Sequence, residues 1–487
     1  MSVTSYEQVI ESVPKGAYVD GAWTPVNGDA SFEVSDPGNG TALCRVADTG
    51  EREWDAAVDA ASAAFSEWKL TNTELRADLL RRVYDAVMDQ AEDIAQIISA
   101  EAGKPLTEAR AEVRYGASFI RWYSELVLAD RGDFAASPSG EYWMVTKKEP
   151  VGVALLITPW NFPFSMVTRK LAAAFAAGCT SIIKPAGFTP LSSSWLVKIF
   201  HEVGVPAGVV NLLPTTKSAA MSSRLLKDSR VRKVSFTGST PVGASLLKGA
   251  ADNILASSME LGGNAPFMVL SDADLDQAVA GALVAKFRNA GQACVGANRI
   301  IVHTAVFDEF VEKFVAAVQQ LKVGHALEDG VEIGPMISEK QRVETHRFVE
   351  RGVEEGGRLL TGGEPIEGAG YFYQPTVIVD APVGGHLWSN ELFGPIAAVY
   401  RTNSDDEMIE LANRTEYGLV AYLYGQDGKR TMRIADGIES GMVAINRPII
   451  SEARAPFGGV KASGLGREGG VDGLNDYQVT KYIAIQR

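Results

Sequence analysis

Cys294 lies in the stretch FRNAGQACVGANR, residues 287–299, with Gly291, Ala293, Gly296 and Ala297 around it. A structural cysteine behaves as a small hydrophobe and sits among larger apolar neighbours. Small neighbours instead leave the sulfur open to a reactant, and the chemistry a thiolate then offers is attack on an electrophilic carbon through a transient covalent bond. Two other positions could serve that chemistry. In TPWNFPFSMVTRK, residues 158–170, Pro159 and Pro163 restrict the backbone on either side of Asn161, which makes its amide a fixed donor of the kind that stabilises an oxyanion. In MELGGNAPF, residues 259–267, Glu260 precedes two glycines that let neighbouring groups approach, and a buried carboxylate there has the raised pKa of a general base. Taken singly, each has a plainer explanation: a loop asparagine satisfying backbone groups, and a capping or solvated glutamate.

A fourth stretch, FTGSTPVGASLL (236–247), reads as a strand running into Gly238 and then a helix. A glycine at such a turn lets a phosphate approach the backbone, where the helix N-terminus offers unpaired N–H groups and a favourable dipole. The spacing fits GxxxxG, but Ala244 stands where an ATP-binding loop needs lysine, and the middle glycine of GxGxxG is missing. An ordinary glycine-containing turn explains the segment equally well.

The surrounding chain must position these groups. Its 487 residues exceed one ordinary core and suggest roughly two to four units. With 46% hydrophobic and 22% charged residues the composition is that of a globular protein. A formal charge of -14 opposes general affinity for nucleic acid or anionic lipid. The opening MSVTSYEQVIESVPKG lacks the pattern of a secretory signal, and the longest apolar stretch, VGVALLITPWNFPF, is broken well short of the roughly 20 residues that span a bilayer. Three cysteines, Cys44, Cys179 and Cys294, far apart and without CxxC spacing, indicate neither a disulfide framework nor a zinc site, and the five histidines form no ligand pair. No metal, no nucleic acid and no membrane are expected, and a cytoplasmic location is.

From about residue 150 the pattern alternates. VGVALLIT, TSIIK, GVVNLLP and RKVSF read as buried strands, separated by helices in MVTRKLAAAFAAG, PLSSSWLVKIFHEVG and MSSRLLKDS. This predicts a mainly parallel sheet covered on both faces. Residues 51–128 read as largely helical and are expected to pack on that sheet. After Met259 a second α/β series begins with PFMVL, a helix over ADLDQAVAGALVAKFRNAG, NRIIVH and FDEFVEKFVAAVQQL. The glycines near 352–370 read as surface turns. GEYWMVTKKEP and YQVTKYIAIQR have no place in either core, and pair either with each other or with the sheet edge of a second subunit.

FTGSTPVG, ITPWNF, IIKPAGFTP, MELGGN, FRNAGQACVGANR, NELFGP and PFGGVKASGLGREG together resemble the aldehyde dehydrogenase superfamily over nearly the whole chain. FRNAGQAC, ELGGNAPF and VTRK most resemble its succinate-semialdehyde dehydrogenases. The resemblance implies an α/β fold with a parallel-sheet cofactor domain formed by residues 1–127 and 151–259. It further implies an α/β catalytic domain over 260–462 and a small β oligomerisation element from 128–150 and 470–487. Carried over by position, it makes Cys294 the nucleophile, Asn161 with the Cys294 backbone N–H the oxyanion donors, and Glu260 the base that activates hydrolytic water. For the dinucleotide it places the pyrophosphate near Gly238 and Ser239, the adenine ribose near Lys184, and the nicotinamide ribose near Glu391 with Phe393 beside it. Trp160 and Leu261 line the nicotinamide end, with Thr158 and Pro159 among the cofactor contacts. Gly187 stands after KPA, where many NAD-preferring relatives carry glutamate. Losing that charge while keeping Lys184, with Lys217 nearby in LPTTKS, favours NADP, and NAD remains the second acceptor. Arg169 and Arg288, with Ser451, resemble the groups that bind the distal carboxylate of an aldehyde acid. The plainer reading puts both arginines on helix surfaces in ordinary ion pairs.

The chain departs from the resemblance at two places. Gly296 replaces a second cysteine of several relatives, so oxidant must act on Cys294 itself. Arg447 and Pro448 in NRPIIS stand where small flexible residues are usual, which leaves glutarate semialdehyde, another ω-oxo acid or a broad aldehyde range as alternatives. A cysteine hydrolase would need a histidine that none of the motifs contains, and a catalytically silent relative would not need Cys294, Glu260, Asn161 and Lys184 together. The resemblance also implies a homodimer or homotetramer.

Overall fold

The computed structural model describes residues 6–487; the first five residues of the N-terminal stretch lie outside the described residues. The larger of two main sheets has eight strands in the order Gly464–Leu465, Ala256–Glu260, Val231–Thr237, Val153–Ile157, Thr180–Lys184, Val210–Leu212, Tyr18–Val19, Ala22–Trp23. The strands from Ala256–Glu260 through Val210–Leu212 run parallel, and antiparallel partners close the edges. Val153–Ile157 and Thr180–Lys184 are buried at every position, as expected for strands covered on both faces. The chain steps outward from Val153–Ile157 on one side through two strands, then returns to its other side with Val231–Thr237. Ligands of open α/β sheets bind beyond the carboxyl ends of the strands at such a reversal. Here Ile157 pairs with both Lys184 and Phe236, and Thr237 with Glu260, so Thr158, Lys184, Gly238 and Glu260 share one edge.

The expectation for residues 51–128 holds in secondary structure and needs correction in placement. Glu51–Trp68 packs on the sheet, whereas Leu106–Leu126 lies mainly over the helix Pro163–Ala177, which separates it from the strands, and Thr73–Asp89 packs chiefly against Leu106–Leu126. Every residue of Pro163–Ala177 is buried, and its alanines let sheet and outer helices approach from opposite sides. Pro163 starts it, and Gly178, at φ 91, ends it.

The second sheet has seven strands in the order Arg358–Thr361, Thr376–Val379, Ile396–Thr402, Ala297–His303, Ala265–Val269, Val420–Tyr424, Met442–Ile445, parallel except for the first pair. The helix expected from Ala273 to Gly291 stops at Phe287, because Asn289, Ala290 and Gly291 take left-handed φ values of 55°, 53° and 73°. At Gly291 a side chain is excluded, since a Cβ would stand 2.1 Å from the Gly394 carbonyl oxygen. Gly352 is likewise not a surface turn. It lies inside the helix Glu339–Glu354, where a Cβ would come within 2.3 Å of Leu387.

The two extended pieces left open by the sequence pair with each other. Phe134–Ala136, Tyr142–Pro150 and Gln478–Gln486 form a three-stranded antiparallel sheet, with Gln478 opposite Pro150 and Gln486 opposite Tyr142. No helix among the described residues is long and apolar enough to cross a membrane.

Candidate active site

Cys294 sits where two cavities meet. One, of about 310 Å³, is walled by Phe162, Met166, Val295, Ile449 and Phe457 and carries Arg169, Arg288 and Ser451. The other, of about 260 Å³, is bounded by Pro159, Trp160, Asn161, Gly238, Ser239, Glu260, Leu261, Glu391 and Phe393. The two glycines after Glu260 permit this convergence. A Cβ on Gly262 would stand 2.9 Å from the Glu391 carboxylate, and one on Gly263 only 2.3 Å from the Cys294 carbonyl oxygen. The sulfur is less open than its small neighbours imply: Cys294 is half-buried, and burial pushes its thiol up to about 12, with Arg169 opposing.

The Asn161 amide nitrogen donates to the Gln292 carbonyl at 3.0 Å, two residues before Cys294. Glu260 ends the strand Ala256–Glu260, is 3% exposed, and keeps Oε2 without a hydrogen-bond partner. Burial, reinforced by the neighbouring Glu468 carboxylate, raises the Glu260 carboxyl well above the ordinary range, against Arg169, Lys170 and Arg467. Burial also disfavours charge on Glu468, but ion pairs with Arg169 and Lys170 hold it below its usual value. One carboxylate is thereby kept ionised and the other poised to exchange a proton, a division that environment alone can impose.

The second cavity has the features a dinucleotide needs. Ser239 caps the helix Thr240–Ala251 in extended conformation without a side-chain hydrogen bond, leaving the first-turn N–H groups uncapped by it. At Gly238 a Cβ would lie 2.4 Å from the Phe236 ring, so a side chain there would have to displace that ring. Glu391 Oε1 accepts from the Gly263 N–H at 3.0 Å, and burial raises its carboxyl to about 7. The Phe393 ring meets Trp160 edge to face at 5.5 Å. Thr158, Lys184, Gly187 and Lys217 do not line this cavity. The Thr158 N–H donates to the Lys184 carbonyl at 3.1 Å, and burial lowers the Lys184 ammonium to about 8. A Cβ on Gly187 would meet nothing within 4 Å. Lys217 is largely solvated and stands 3.9 Å from Asp48.

The arginines differ from one another. Arg288 has left the helix, makes no ion pair among the described residues, and stacks 5.4 Å from the Phe162 ring centroid. Arg169 is buried, shares its charge with Glu468, and lies over the Phe457 ring at 4.3 Å, so neither arginine occupies a helix surface. The Tyr115 hydroxyl faces Ser451 and Arg169. Beyond Ser451, Arg447 is exposed and donates to the Ile449 carbonyl at 2.6 Å.

Several residues of this region have no sequence expectation. Glu468 lies inside the quoted PFGGVKASGLGREG but shows its relation to Glu260 only in space. Lys286 donates to the Leu392 carbonyl at 2.9 Å behind Glu391, and burial lowers its ammonium to about 7. Lys104, Glu108 and Glu112 reach the first cavity from a helical region whose periodicity marks only its core face.

The sequence profile described as the aldehyde dehydrogenase family matches residues 23–483. A succinate-semialdehyde dehydrogenase of Paenarthrobacter nicotinovorans is 49% identical over 443 residues, 91% of this chain and 98% of the relative. The GabD succinate-semialdehyde dehydrogenase of Escherichia coli K12, whose name specifies NADP(+), is 44% identical and covers 96% and 97%. A glutarate-semialdehyde dehydrogenase of Pseudomonas putida is 43% identical with the same coverage, 96% and 97%. Among solved structures, one described as an E. coli NADP-dependent enzyme superposes with a TM-score of 0.96 at 43% identity, covering 98% of each chain.

Proposed function

The chain belongs to the aldehyde dehydrogenase family, and within it we propose that this enzyme oxidises succinate semialdehyde to succinate, with NADP preferred over NAD. The observation that carries the reading is the position of Cys294 at the junction of a cleft built on the uncapped Ser239 helix and an apolar cavity bearing the cation of Arg288, which makes no ion pair among the described residues. We also propose that the eight-stranded sheet with its helices holds the dinucleotide, the 260–462 segment brings the nucleophile, and the three-stranded sheet joins subunits.

In this reading Arg288 and Ser451 bind the substrate carboxylate, with Arg169 adding positive potential, and the aldehyde carbon is presented to Cys294. The Cys294 sulfur bonds to that carbon as the thiol proton passes to solvent, which leaves Glu260 Oε2 an open acceptor for the later step. The oxygen becomes an oxyanion held by the Asn161 amide and the Cys294 N–H, and such a donor contributes roughly 3 to 4 kcal/mol. A nicotinamide dinucleotide, which Gly238, Ser239, Glu391 and Phe393 would hold, would supply the hydride acceptor, and loss of hydride from the reacting carbon would leave a thioester on Cys294. Glu260 then takes a proton from water as its oxygen adds to the thioester carbonyl; the sulfur leaves, and the acid is released.

Lys184, on which no carboxylate acts among the described residues, and the open space at Gly187 support the preference for a 2′-phosphate. The decisive experiment measures reduction at 340 nm with a panel of aldehydes and ω-oxo acids against both cofactors. A specificity constant higher for uncharged aldehydes than for succinate semialdehyde, or higher for NAD than for NADP, overturns the corresponding part. Glutarate semialdehyde belongs in the panel because Arg447 and Pro448 stiffen the segment leading to Ser451. No histidine lines either cavity among the described residues, so a Cys–His hydrolase has no base there.

A further inference from the structure

A densely built polar cluster stands directly behind Asn161. Lys104 lies between the helices Ala91–Ala102 and Leu106–Leu126, and Glu112 lies on the second. Their side chains are each 1% exposed and form an ion pair. Lys104 Nζ also donates to the Asn161 carbonyl at 2.9 Å and stands 3.8 Å from the Phe162 ring centroid. Glu112 Oε1 accepts from the backbone N–H groups of Phe164 at 3.0 Å and Ser165 at 3.1 Å. These open the helix Pro163–Ala177, whose cap residue Phe162 supplies no acceptor of its own. The Asn161 carbonyl receives a second donor, Asn289 Nδ2 at 3.0 Å, and that nitrogen also reaches the Gln292 carbonyl to which the Asn161 amide donates. The loop carrying the amide and the strained turn before Cys294 are therefore tied at shared atoms.

A buried ion pair by itself is weak evidence for stability, since apolar residues of similar volume do as well or better. This pair does what apolar residues cannot, because Lys104 has a donor to spare for a carbonyl and Glu112 an acceptor to spare for two N–H groups. We propose that Lys104 and Glu112 are positioning residues for the oxyanion donor: they fix the Asn161 peptide so that its amide and the Cys294 loop meet the reacting oxygen in one geometry. This rests on the reading of Asn161 as that donor. Displacing a catalytic group by about 1 Å costs on the order of 100-fold, so the effect falls on the chemical step and not on substrate affinity.

The test compares the pre-steady-state burst of reduced cofactor in Asn161→Ala, Lys104→Met and Lys104→Met/Glu112→Gln, with thermal midpoint and cofactor affinity measured on each. Asn161→Ala is expected to slow the burst on the order of 100-fold or more. Both Lys104 variants are expected to slow it roughly 10- to 100-fold with succinate semialdehyde and with butanal alike, at unchanged cofactor affinity. The double variant leaves no unpaired charge at 104 or 112, keeps an acceptor at 112 and leaves Glu108 facing Arg288, so it regains the parental thermal midpoint without regaining the burst. A parental burst in the double variant overturns the proposal, since the pair then only balances charge. A loss confined to KM for the carboxylated aldehyde also overturns it, since Lys104 then binds substrate. A parental burst in Asn161→Ala defeats the underlying reading instead, whatever the Lys104 variants do.

Discussion

Replacing Arg288 by alanine removes a cation that makes no ion pair among the described residues and borders the apolar cavity at Cys294. If it binds the substrate carboxylate, the bound pair is desolvated by Phe162, Ile449 and Phe457. Truncating one partner of such a pair costs about 2 to 5 kcal/mol. Ser451 and Arg169 remain, but Arg169 already shares its charge with Glu468, so about 3 kcal/mol is the expected loss. At about 1.36 kcal/mol per decade this is roughly 150-fold in kcat/KM for succinate semialdehyde. Butanal, of equal chain length and uncharged, loses only the stacking of Arg288 on Phe162, worth about 0.5 to 1 kcal/mol, or a few-fold. Initial rates at 340 nm with both aldehydes give the ratio directly, and it should fall by roughly 30-fold or more. Equal losses on the two substrates would refute the role of Arg288, because a damaged fold or a misplaced Cys294 does not distinguish them.

Glu260→Gln should retain a burst of reduced cofactor and lose steady turnover by about 100-fold or more, read by stopped flow; loss of the burst with turnover intact contradicts the base assignment. Because the Glu260 carboxyl is raised, its base form is present only above that raised value, so steady turnover should fall as pH is lowered through it. The linked stability has the opposite sign. A raised carboxyl favours the folded acid below its unfolded pKa, and that contribution is lost as pH rises through the folded value, so Glu260→Gln should melt higher than the parent at alkaline pH. A parent and variant whose melting profiles stay parallel across pH would exclude this. Gly187→Glu meets no steric obstacle and should lower kcat/KM for NADP while sparing NAD, shown by the ratio of the two constants; an unchanged ratio removes Gly187 from cofactor choice. Gly238→Ala places a Cβ against the Phe236 ring and should raise the dinucleotide Kd by about tenfold in a fluorescence titration, with tight binding as the contrary result.

Strand and helix order from residue 150 to 320 is legible in the sequence because each element buries its own pattern: five-residue apolar strands, and an alanine-rich helix covered on all sides. The crossing point of the sheet is not, since strand order depends on which side of Val153–Ile157 the later strand Val231–Thr237 takes. The helix expected through Gly291 shows the same limit. Its composition continues past Phe287, but Asn289 is turned left-handed by partners 128 and 181 residues away in the chain, Asn161 and Glu108.

For the site, small neighbours, flanking prolines and paired glycines are local facts that made Cys294, Asn161 and Glu260 candidates, while their roles came from the resemblance of the seven motifs taken together. Their electrostatics belong to the folded state. Cys294 is deeper than its neighbours imply, and the Glu260 carboxyl is raised by burial and by Glu468, a residue from the far end of the chain. Likewise Lys104, Glu112 and Lys286 carry no local signal in the sequence. Only packing removes them from water and obliges each to find a partner, because an isolated charge in a dry interior is too costly to keep. Local pattern thus determined which groups exist and which elements carry them, while the dielectric around each group, and so its protonation and its partner, was decided by contacts between distant segments.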